Sequence, residues 1–378
     1  MTCRTALALV LVVGCGGAVA EQSPATTPRV EPAAAPTAPS VAQAHVASAK
    51  EMPARSAAEP GALDGRPIVL PGASAPSSID LIALDRERGR VWLPVATTAS
   101  VDVLDIASGN FTRVDGFKSV EREVNGKKRT LGPSAAAVGD RFVYIANRAS
   151  QEVCPVDAST LKLGKCLALA APTDAITYVA ATHEVWVTMP KARTIAIVDA
   201  TKPDALALKA TIKLDGEPEC FAVDDRRGLV FTNLEDKGTT LAIDVKSRKV
   251  TSTWSPACDA DGPRGVAFDA AHDFVVVACT DHLQLLDSGH DGVLLGKLET
   301  GAGVDNIDFV DGRIYVAAGK AAKLTIARVD EKGEFAVIAT AATSEGVRNA
   351  VADAMGNVYA PDARGARVLV FRAPQSAR

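Results

Sequence analysis

Three features of the 378-residue sequence predict an all-β protein. Glycine and proline are frequent, at 29 and 21 residues, and the apolar runs between them are short and rich in valine and isoleucine. Such runs, bounded by turn-forming residues, are typical of β-strands. The composition, 47% apolar and 23% charged, suits a globular chain that buries a full core. The third feature is a repeat with a period in the mid-forties, which also gives the number of structural units.

The formal charge is −4, from 41 basic and 45 acidic residues, so the protein as a whole has no net positive charge to attract polyanions. We therefore expect no nucleic-acid partner. We expect contact with a membrane only through an N-terminal lipid, and a monomeric chain.

Residues 1–20 have the pattern of a bacterial secretory signal peptide. Arg4 precedes the apolar run Ala6 to Val13, which is too short to span a membrane as a helix. The tetrad VVGC that ends at Cys15 resembles the lipobox, in which the cysteine is lipidated and becomes the mature N-terminus. This resemblance implies an exported protein, lipid-anchored to the cell envelope on its periplasmic side or at the cell surface. The alternative is cleavage at the A-x-A site ending at Ala20, which would give a soluble secreted or periplasmic protein.

The rest of the chain divides into a low-complexity segment and one repeated region. Residues 21–63 are rich in proline and alanine and lack large apolar side chains, which predicts a disordered tether. A flexible chain of this length spans on the order of 40 Å, enough to hold a folded domain away from a membrane surface. Residues 64–373 contain the repeats, and residues 374–378 form a C-terminal tail.

The repeat is marked by an apolar residue followed by an aromatic one. The pair occurs six times, and the fifth of seven units carries Val275-Val276 instead. The second positions lie 39 to 52 residues apart, and each unit holds four strand-like runs, which is the spacing of β-propeller blades. The sequence therefore predicts a seven-bladed β-propeller of four-stranded antiparallel blades. The six pairs are Val91-Trp92, Val143-Tyr144, Val185-Trp186, Val230-Phe231, Ile314-Tyr315 and Val358-Tyr359.

An aspartate recurs in step with the aromatic residue, at the end of the strand that follows it. An aspartate there can accept backbone N–H bonds in the next turn, so we interpret these residues as turn formers. The aromatic residues are interpreted as packing between blades. The aspartates are Asp105, Asp157, Asp199 and Asp244, each thirteen residues beyond its aromatic, then Asp287 and Asp330 with small shifts.

The stretches "YIAN" from Tyr144, "WVTM" from Trp186 and "YVAA" from Tyr315 resemble the YVTN repeat. The stretches "VDVLDIASG" and "IAIVDATK" resemble the strand that follows it. Over residues 66 to 373 the chain thus resembles the YVTN-type, YncE-like seven-bladed β-propellers, which are related in shape to bacterial lactonase and haem-d1-type propellers. The resemblance implies an architecture and not an activity, because the repeat marks packing and turns.

The two ends of the repeated region predict how the ring closes. The last unit stops one strand short after "RVLVFR", and "RPIVLPG" before the first unit is a strand without a blade. We therefore expect Ile68 to Leu70 to supply the outer strand of the seventh blade, which removes an open edge.

One interval is longer because of an insertion before the second blade. Lys118 to Gly132 places Asn125-Gly126 between two polar alternating runs, which is a strong hairpin signal. We expect a mildly basic hairpin on the face that carries the connectors between blades, either simply solvated or in contact with a partner.

The innermost strands predict a ring of polar residues. Each such strand starts near a proline or small apolar residue, and the next residue is expected at the mouth of the central channel. These side chains could bind a cation, a sugar or a small polar ligand, or they could simply line a water-filled channel. The ring positions are Asp80, Ser134, Asp174, Glu219, Arg264, Asp305 and Arg348, and the residues after them include Cys220, Asn306 and Asn349.

Two functions follow as alternatives. The first is a binding or scaffold module that holds an envelope protein, a glycan or a small polar ligand at the channel mouth. The second is a metal-dependent hydrolase of the lactonase type, with a divalent cation in the channel held by Asp80, Glu219, Asp305 and Asn306. The sequence has no C-x-x-C-H motif, no G-x-S-x-G motif and no phosphate-binding loop, so no catalytic residue is assigned.

The cysteines of the exported part predict disulfides, because export leads to an oxidising environment. Cys154 and Cys166 flank a predicted hairpin and are expected to pair, which stabilises by roughly 3 kcal/mol. For the others we expect a Cys220–Cys258 disulfide, with Cys279 left as a small buried residue. A zinc site made of these three cysteines and His282 is the alternative.

Overall fold

The computed structural model describes residues 61–124, 126–259 and 261–372. The predicted signal peptide with Cys15, residues 21–60 of the predicted tether and the predicted tail lie outside the described residues. Residues 61–63 are predicted to belong to the tether, but Gly61–Ala62 forms a strand of the fold. No helix within the described ranges is long and apolar enough to cross a membrane.

The chain folds into seven antiparallel sheets of four strands arranged in a ring, which confirms the predicted seven-bladed β-propeller. One sheet carries an additional parallel strand. Blade 1 consists of β3 (Ala83–Asp85), β4 (Arg90–Val95), β5 (Ser100–Asp105) and β6 (Phe111–Val114). Blade 2 consists of β9 (Pro133–Val138), β10 (Phe142–Asn147), β11 (Glu152–Asp157) and β12 (Leu167–Ala168). Blade 3 consists of β13 (Ile176–Val179), β14 (Glu184–Met189), β15 (Thr194–Asp199) and β16 (Ala207–Lys213). Blade 4 consists of β17 (Pro218–Asp224), β18 (Leu229–Leu234), β19 (Thr239–Asp244) and β20 (Lys249–Trp254). Blade 5 consists of β21 (Pro263–Asp269), β22 (Phe274–Cys279), β23 (His282–Asp287) and β24 (Val293–Glu299). Blade 6 consists of β25 (Val304–Val310), β26 (Arg313–Ala318), β27 (Lys323–Val329) and β28 (Phe335–Ala342), and β1 (Gly61–Ala62) is its additional parallel strand. Blade 7 consists of β29 (Val351–Ala352), β30 (Val358–Asp362), β31 (Arg367–Phe371) and β2 (Gly65–Val69).

Short 3-10 helices lie in some of the loops between these strands. They are η1 (Ala96–Thr98), η2 (Ala180–Thr182), η3 (Pro190–Ala192), η4 (Pro203–Ala205) and η5 (Glu235–Lys237).

The ring is closed by the start of the described chain. The innermost strands contact one another in order, and β29 of blade 7 meets β3 of blade 1. Strand β2 pairs antiparallel with β31, from Gly65 opposite Phe371 to Val69 opposite Arg367, which confirms the predicted closing strand. Strand β1 pairs in parallel with β28 of blade 6, so the first strands cover the edges of two blades.

The second strand of each blade is almost fully buried, because it lies between neighbouring sheets. Its aromatic residues pack between blades, as predicted. The ring of Tyr144 stacks on Tyr178 of the next blade, with centroids 5.7 Å apart. The ring of Phe231 lies 5.3 Å from Phe268 of the following blade.

The recurrent aspartates form the turns that the sequence predicts. In the turn after β11, one oxygen of Asp157 accepts hydrogen bonds from the backbone N–H groups of Ser159 and Thr160 at 3.0 and 2.8 Å. These hydrogen bonds, from Thr160 foremost, lower the pKa of Asp157 to about 2. Asp199 and Asp287 accept equivalent backbone bonds at 2.9 Å.

The predicted hairpin consists of β7 (Val120–Val124) and β8 (Lys127–Leu131), and it lies between blades 1 and 2. Its base is fixed to both blades. The hydroxyl of Ser119 donates to the carbonyl oxygen of Ala96, next to blade 1, at 2.6 Å. The side-chain amide of Asn147 in blade 2 donates to the carbonyl oxygen of Lys118 at 3.0 Å. A side chain at Gly132 would collide with Ala96, so the hairpin base lies directly against blade 1.

Two disulfides are present, Cys154–Cys166 and Cys258–Cys279. The first is the predicted pair. The predicted Cys220–Cys258 pair is wrong, because the connector between blades 4 and 5 places Cys258 beside Cys279 at the end of β22, with 5.3 Å between their Cα atoms. Cys220 lies on the innermost strand of blade 4 and is a buried free thiol. The alternative zinc site also fails, since two of its thiols form this disulfide.

Candidate ligand site at the channel mouth

A bulge at the start of four innermost strands, β9, β17, β21 and β25, redirects the ring residues. In β17, β21 and β25, two residues stand opposite one residue of the second strand. Such bulges redirect side chains locally. The doubled positions begin with Glu219, Arg264 and Asp305, which are three of the predicted ring residues.

A chain of ion pairs joins five blades across the channel mouth. The carboxylate of Asp80 in blade 1 accepts from Arg348 Nη2 of blade 7 at 2.7 Å and from Arg148 Nη2 of blade 2 at 3.2 Å. Arg148 also donates to Asp174 of blade 3. Arg348 Nε lies 3.3 Å from the carboxylate of Asp305 in blade 6. The order of charges is therefore Asp174, Arg148, Asp80, Arg348, Asp305.

The ion pairs set the charge state of this chain. Burial alone would raise the pKa of Asp80, but the guanidinium groups of Arg348 and Arg148 outweigh it and hold that pKa below its ordinary value. Burial raises the pKa of Asp305 to about 6, because Arg348 offsets only part of the desolvation and Asp80 adds repulsion. Asp80 and Asp305 in turn raise the pKa of Arg348.

The charged ring residues of blades 4 and 5 form a separate group. Arg264 pairs with Glu235 of the η5 loop, and Glu219 forms a side-chain hydrogen bond with the same carboxyl. Burial, together with the negative charges of Asp174 and Glu235, raises the pKa of Glu219 to about 9. Glu219 is therefore protonated at neutral pH, and its O–H group donates a hydrogen bond to the carboxylate of Glu235.

The raised pKa of Glu219 predicts that Glu219→Gln stabilises the protein. A folded pKa of about 9 exceeds the unfolded value of about 4.3, so the folded state holds this proton more tightly and wild-type stability falls as pH rises from 4 to 9. Glutamine does not titrate and avoids this loss. We expect a gain of about 2 kcal/mol at pH 8, less than the full linkage value because the mouth admits water, and no difference below pH 4.

Urea unfolding between pH 4 and 9 measures this difference. Glu331→Gln, in an exposed turn at the other end of blade 6, is the matched control and should show no such trend. A Glu219→Gln effect that is constant with pH would contradict the protonated state of Glu219.

Arg148 and Glu235 are members of the site that the sequence analysis missed. Each follows the last residue of a second strand, Asn147 in blade 2 and Leu234 in blade 4. The same repeat that locates the innermost strands also locates this position. The signal was therefore present in the sequence, on the connector between the second and third strands.

Four other residues predicted at the channel mouth take no part in these ion pairs. Asn349 is buried, accepts from the backbone N–H of Asn306 at 3.0 Å and donates to the carbonyl of Asp80 at 3.2 Å. Ser134 is buried, with its hydroxyl 3.4 Å from the carbonyl oxygen of Ala146. The Asn306 oxygen is buried without a hydrogen-bond partner among the described residues. Burial raises the pKa of the Cys220 thiol, which keeps it protonated.

The predicted metal ligands do not form a metal site. The guanidinium of Arg348 lies between Asp80 and Asp305, and Asp80 also pairs with Arg148, so both carboxylates are already bound to cationic side chains. Within the described ranges, clusters with metal-ligand spacing occur elsewhere and include none of the four predicted ligands. One of them contains the disulfide-bonded Cys154 and Cys166, and the other contains Asp259, Asp281 and His282. The ring residues therefore do not fit a divalent cation, and no hydrolytic step is derived from one.

The ring surrounds a cavity of about 380 Å³ at the channel mouth. Asp80, Asp174, Glu219, Arg264, Asp305 and Arg348 all line it. Arg122 and Arg129 of the hairpin also line it. Lys191 and Glu217, which pair at 2.7 Å, belong to the same lining. The cavity is large enough for a monosaccharide-sized molecule and has polar groups from all seven blades and the hairpin.

No family profile matches the chain, and no curated protein sequence does. Solved structures do match. A chain of Kuenenia stuttgartiensis hydrazine synthase is 14% identical, with 81% of this chain and 99% of that chain covered and a TM-score of 0.67. Staphylococcus aureus virginiamycin B lyase, in an inactive variant with quinupristin, is 10% identical, with coverages of 82% and 100% and a TM-score of 0.62. The β-propeller domain of Myceliophteria thermophila Cps50 (Swd1) is 10% identical, with the same coverages and a TM-score of 0.60. At these identities the similarity shows the β-propeller fold and nothing finer.

Proposed function

We propose that this protein is an exported, lipid-tethered binding module that takes a small hydroxyl-rich ligand, such as a sugar unit of an envelope glycan, into the channel mouth. The chain of ion pairs from Asp174 to Asp305 carries this proposal. It holds charged groups of five blades in fixed positions around one cavity, so a ligand meets a preorganised set of polar groups.

The chemistry of the ring suits hydroxyl groups. A carboxylate that accepts from one or two arginines keeps free lone pairs, and each guanidinium keeps free N–H groups. Neighbouring hydroxyls of a sugar both donate and accept, so one ligand can satisfy both kinds of group. Because the ring charges are already paired, binding a neutral ligand does not require a new counter-charge.

Two further observations support export. The described chain has two disulfides, which persist in oxidising compartments outside the cytosol. The lipobox-like tetrad at Cys15 and the proline-rich segment after it are consistent with a tether.

A panel of neutral and acidic mono- and disaccharides, screened by thermal unfolding of residues 21–378, tests the proposed function. A ligand at about 100 times its Kd should raise the free energy of unfolding by about 2.7 kcal/mol. Asp174→Asn should lose most of this gain, because it changes one end of the ion-pair chain that lines the cavity.

Asp311→Asn is the matched control, since Asp311 is exposed in the turn between β25 and β26 and has a positive φ that asparagine tolerates. No stabilisation by any saccharide, or equal stabilisation of wild type and Asp174→Asn, would contradict the proposal.

A further inference from the structure

The hairpin directs two arginines into the channel mouth without a charge partner. Arg122 of β7 and Arg129 of β8 stand directly opposite each other in the register of the hairpin, so both side chains leave the same face. Like charges at such a position destabilise a strand pair. Among the described residues, neither arginine has an acidic group within ion-pair distance, whereas Lys118 at the hairpin base pairs with Glu152 at 3.7 Å.

The acids of the hairpin cannot neutralise this pair. Glu121 and Glu123 alternate with Arg122 along β7, so their side chains leave the other face, and Glu123 stands opposite Lys128. Asp80, which lines both the channel-mouth cavity and a neighbouring one together with Arg129, already accepts from two arginines. The two hairpin arginines therefore form an excess of positive charge that the described part of the chain does not compensate.

A second cavity, of about 480 Å³, adjoins this face between the hairpin, blade 1 and blade 7. Four arginines and one acid are among the residues that line it: Arg129, Arg148, Arg348 and Arg364, with Asp80. Arg148, Arg348 and Arg364 are paired with acids, so Arg129 is the unpaired cation among these four arginines. Arg129 lines both this cavity and the one at the channel mouth. Ser77 and Thr97, whose hydroxyls lie 2.6 Å apart, add hydroxyl donors to the second cavity.

The hairpin is also held firmly enough to position a ligand. Besides the Ser119 and Asn147 hydrogen bonds, the backbone N–H of Arg148 donates to the carbonyl of Gly132 at 2.9 Å. This bond fixes the end of the hairpin next to the first arginine of the ion-pair chain. A group bound at Arg129 would therefore lie beside the cavity proposed for hydroxyl groups.

We propose that Arg122 and Arg129 bind an oxyanion, the carboxylate or phosphate of an otherwise hydroxyl-rich ligand, so that the protein prefers acidic sugars to neutral ones. This inference rests on the proposed function for the hydroxyl-rich part of the ligand. The oxyanion itself is bound by the hairpin. Guanidinium groups form paired, charge-assisted hydrogen bonds with both kinds of oxyanion.

Calorimetric titration at low ionic strength and pH 7 with glucuronate, glucose 6-phosphate and glucose tests the inference. Wild type should bind at least one acidic sugar about tenfold more tightly than glucose. The double variant Arg122→Gln/Arg129→Gln should lose this preference and bind all three sugars alike. The control Lys246→Gln/Lys332→Gln removes two positive charges from exposed turns of blades 4 and 6, at the ends of these blades that face away from the channel mouth. This control should keep the preference for acidic sugars.

The outcomes separate the two proposals. A preference for glucuronate identifies a carboxylate, and a preference for glucose 6-phosphate identifies a phosphate. Equal binding of acidic and neutral sugars to wild type, no binding of either acidic sugar, or a preference that survives in the Arg122→Gln/Arg129→Gln variant would overturn the oxyanion site. If the acidic sugars bind through the hairpin but binding is unchanged by Asp174→Asn, the oxyanion site stands and the proposed role of the ring fails.

Discussion

Replacing Phe371 by alanine is expected to lower the free energy of unfolding by about 4 kcal/mol. Phe371 is fully buried at the end of β31, where it pairs with Gly65 of the closing strand on one side and with Val358 of β30 on the other. A side chain at Gly65 would meet the Phe371 ring at 2.6 Å, so the ring lies against the backbone of the closing strand. The ring also belongs to the core between blades 6 and 7, and its loss leaves a cavity where the propeller closes.

Urea unfolding measures this loss, and the m-value should be the same for wild type and variant. Val69→Ala is the matched control, because Val69 belongs to the same closing strand but is 69% exposed, and it should change stability by less than about 0.5 kcal/mol. Similar losses for the two variants would mean that closure does not depend on the packing of Phe371.

Removing the Cys258–Cys279 disulfide by the double change Cys258→Ser/Cys279→Ser is expected to destabilise the protein by about 3 kcal/mol. The bond closes a loop with a sequence separation of 21 residues. That loop contains Arg264 of the ring and Gly262, where any Cβ would collide with the carbonyl oxygen of Glu235. The disulfide therefore also holds the segment that packs against the Glu219–Glu235 pair.

Peptide mapping under non-reducing conditions checks the connectivity directly. It should recover Cys258 linked to Cys279, and Cys220 should react with an alkylating agent only after unfolding, since its thiol is buried. Urea unfolding of the double variant then gives the loss in free energy of unfolding, with Cys154→Ser/Cys166→Ser as a comparison that opens the shorter loop, of sequence separation 12. A Cys220–Cys258 peptide would contradict the structure.

The architecture could be predicted because the features that encode it are local and repeated. Trp92, Tyr144 and their equivalents mark a buried strand in each unit, and aspartates such as Asp157 mark the turn after the next strand. The closing strand could be predicted for a related reason, since the last unit lacks one strand and the residues before the first unit supply one.

The site could be predicted only in part. The start of each innermost strand locates Asp80, Glu219 and Asp305, but it does not reveal which charges pair. That depends on Arg148, which enters from a different connector and joins the charges of blades 1 and 3. With Arg148 and Arg348 in place, Asp80 acts as an arginine partner and not as a metal ligand.

The cysteine pairing could not be predicted for a geometric reason. Cys220, Cys258 and Cys279 all map to the same face of the propeller, and the sequence alone does not give the path of the connector between blades 4 and 5. In the structure this connector brings Cys258 to Cys279 at the end of the second strand of blade 5, whereas Cys220 lies on the innermost strand of blade 4.

The way in which β2 pairs with β31 has a mechanical consequence. The two strands run antiparallel, and the outermost pair joins Gly65, the first residue of β2, to Phe371, the last residue of β31. A force that pulls the two ends of the fold apart would act first on the short parallel pairing of β1 with β28 and then on the pairs of β2 with β31 in turn, starting from Gly65 and Phe371. The hydrogen bonds would open one after another instead of sharing the load. The ring would therefore resist heat and denaturant through its buried closure, yet open at low force when stretched from both ends. Load applied through the N-terminal side alone would not stretch this pair.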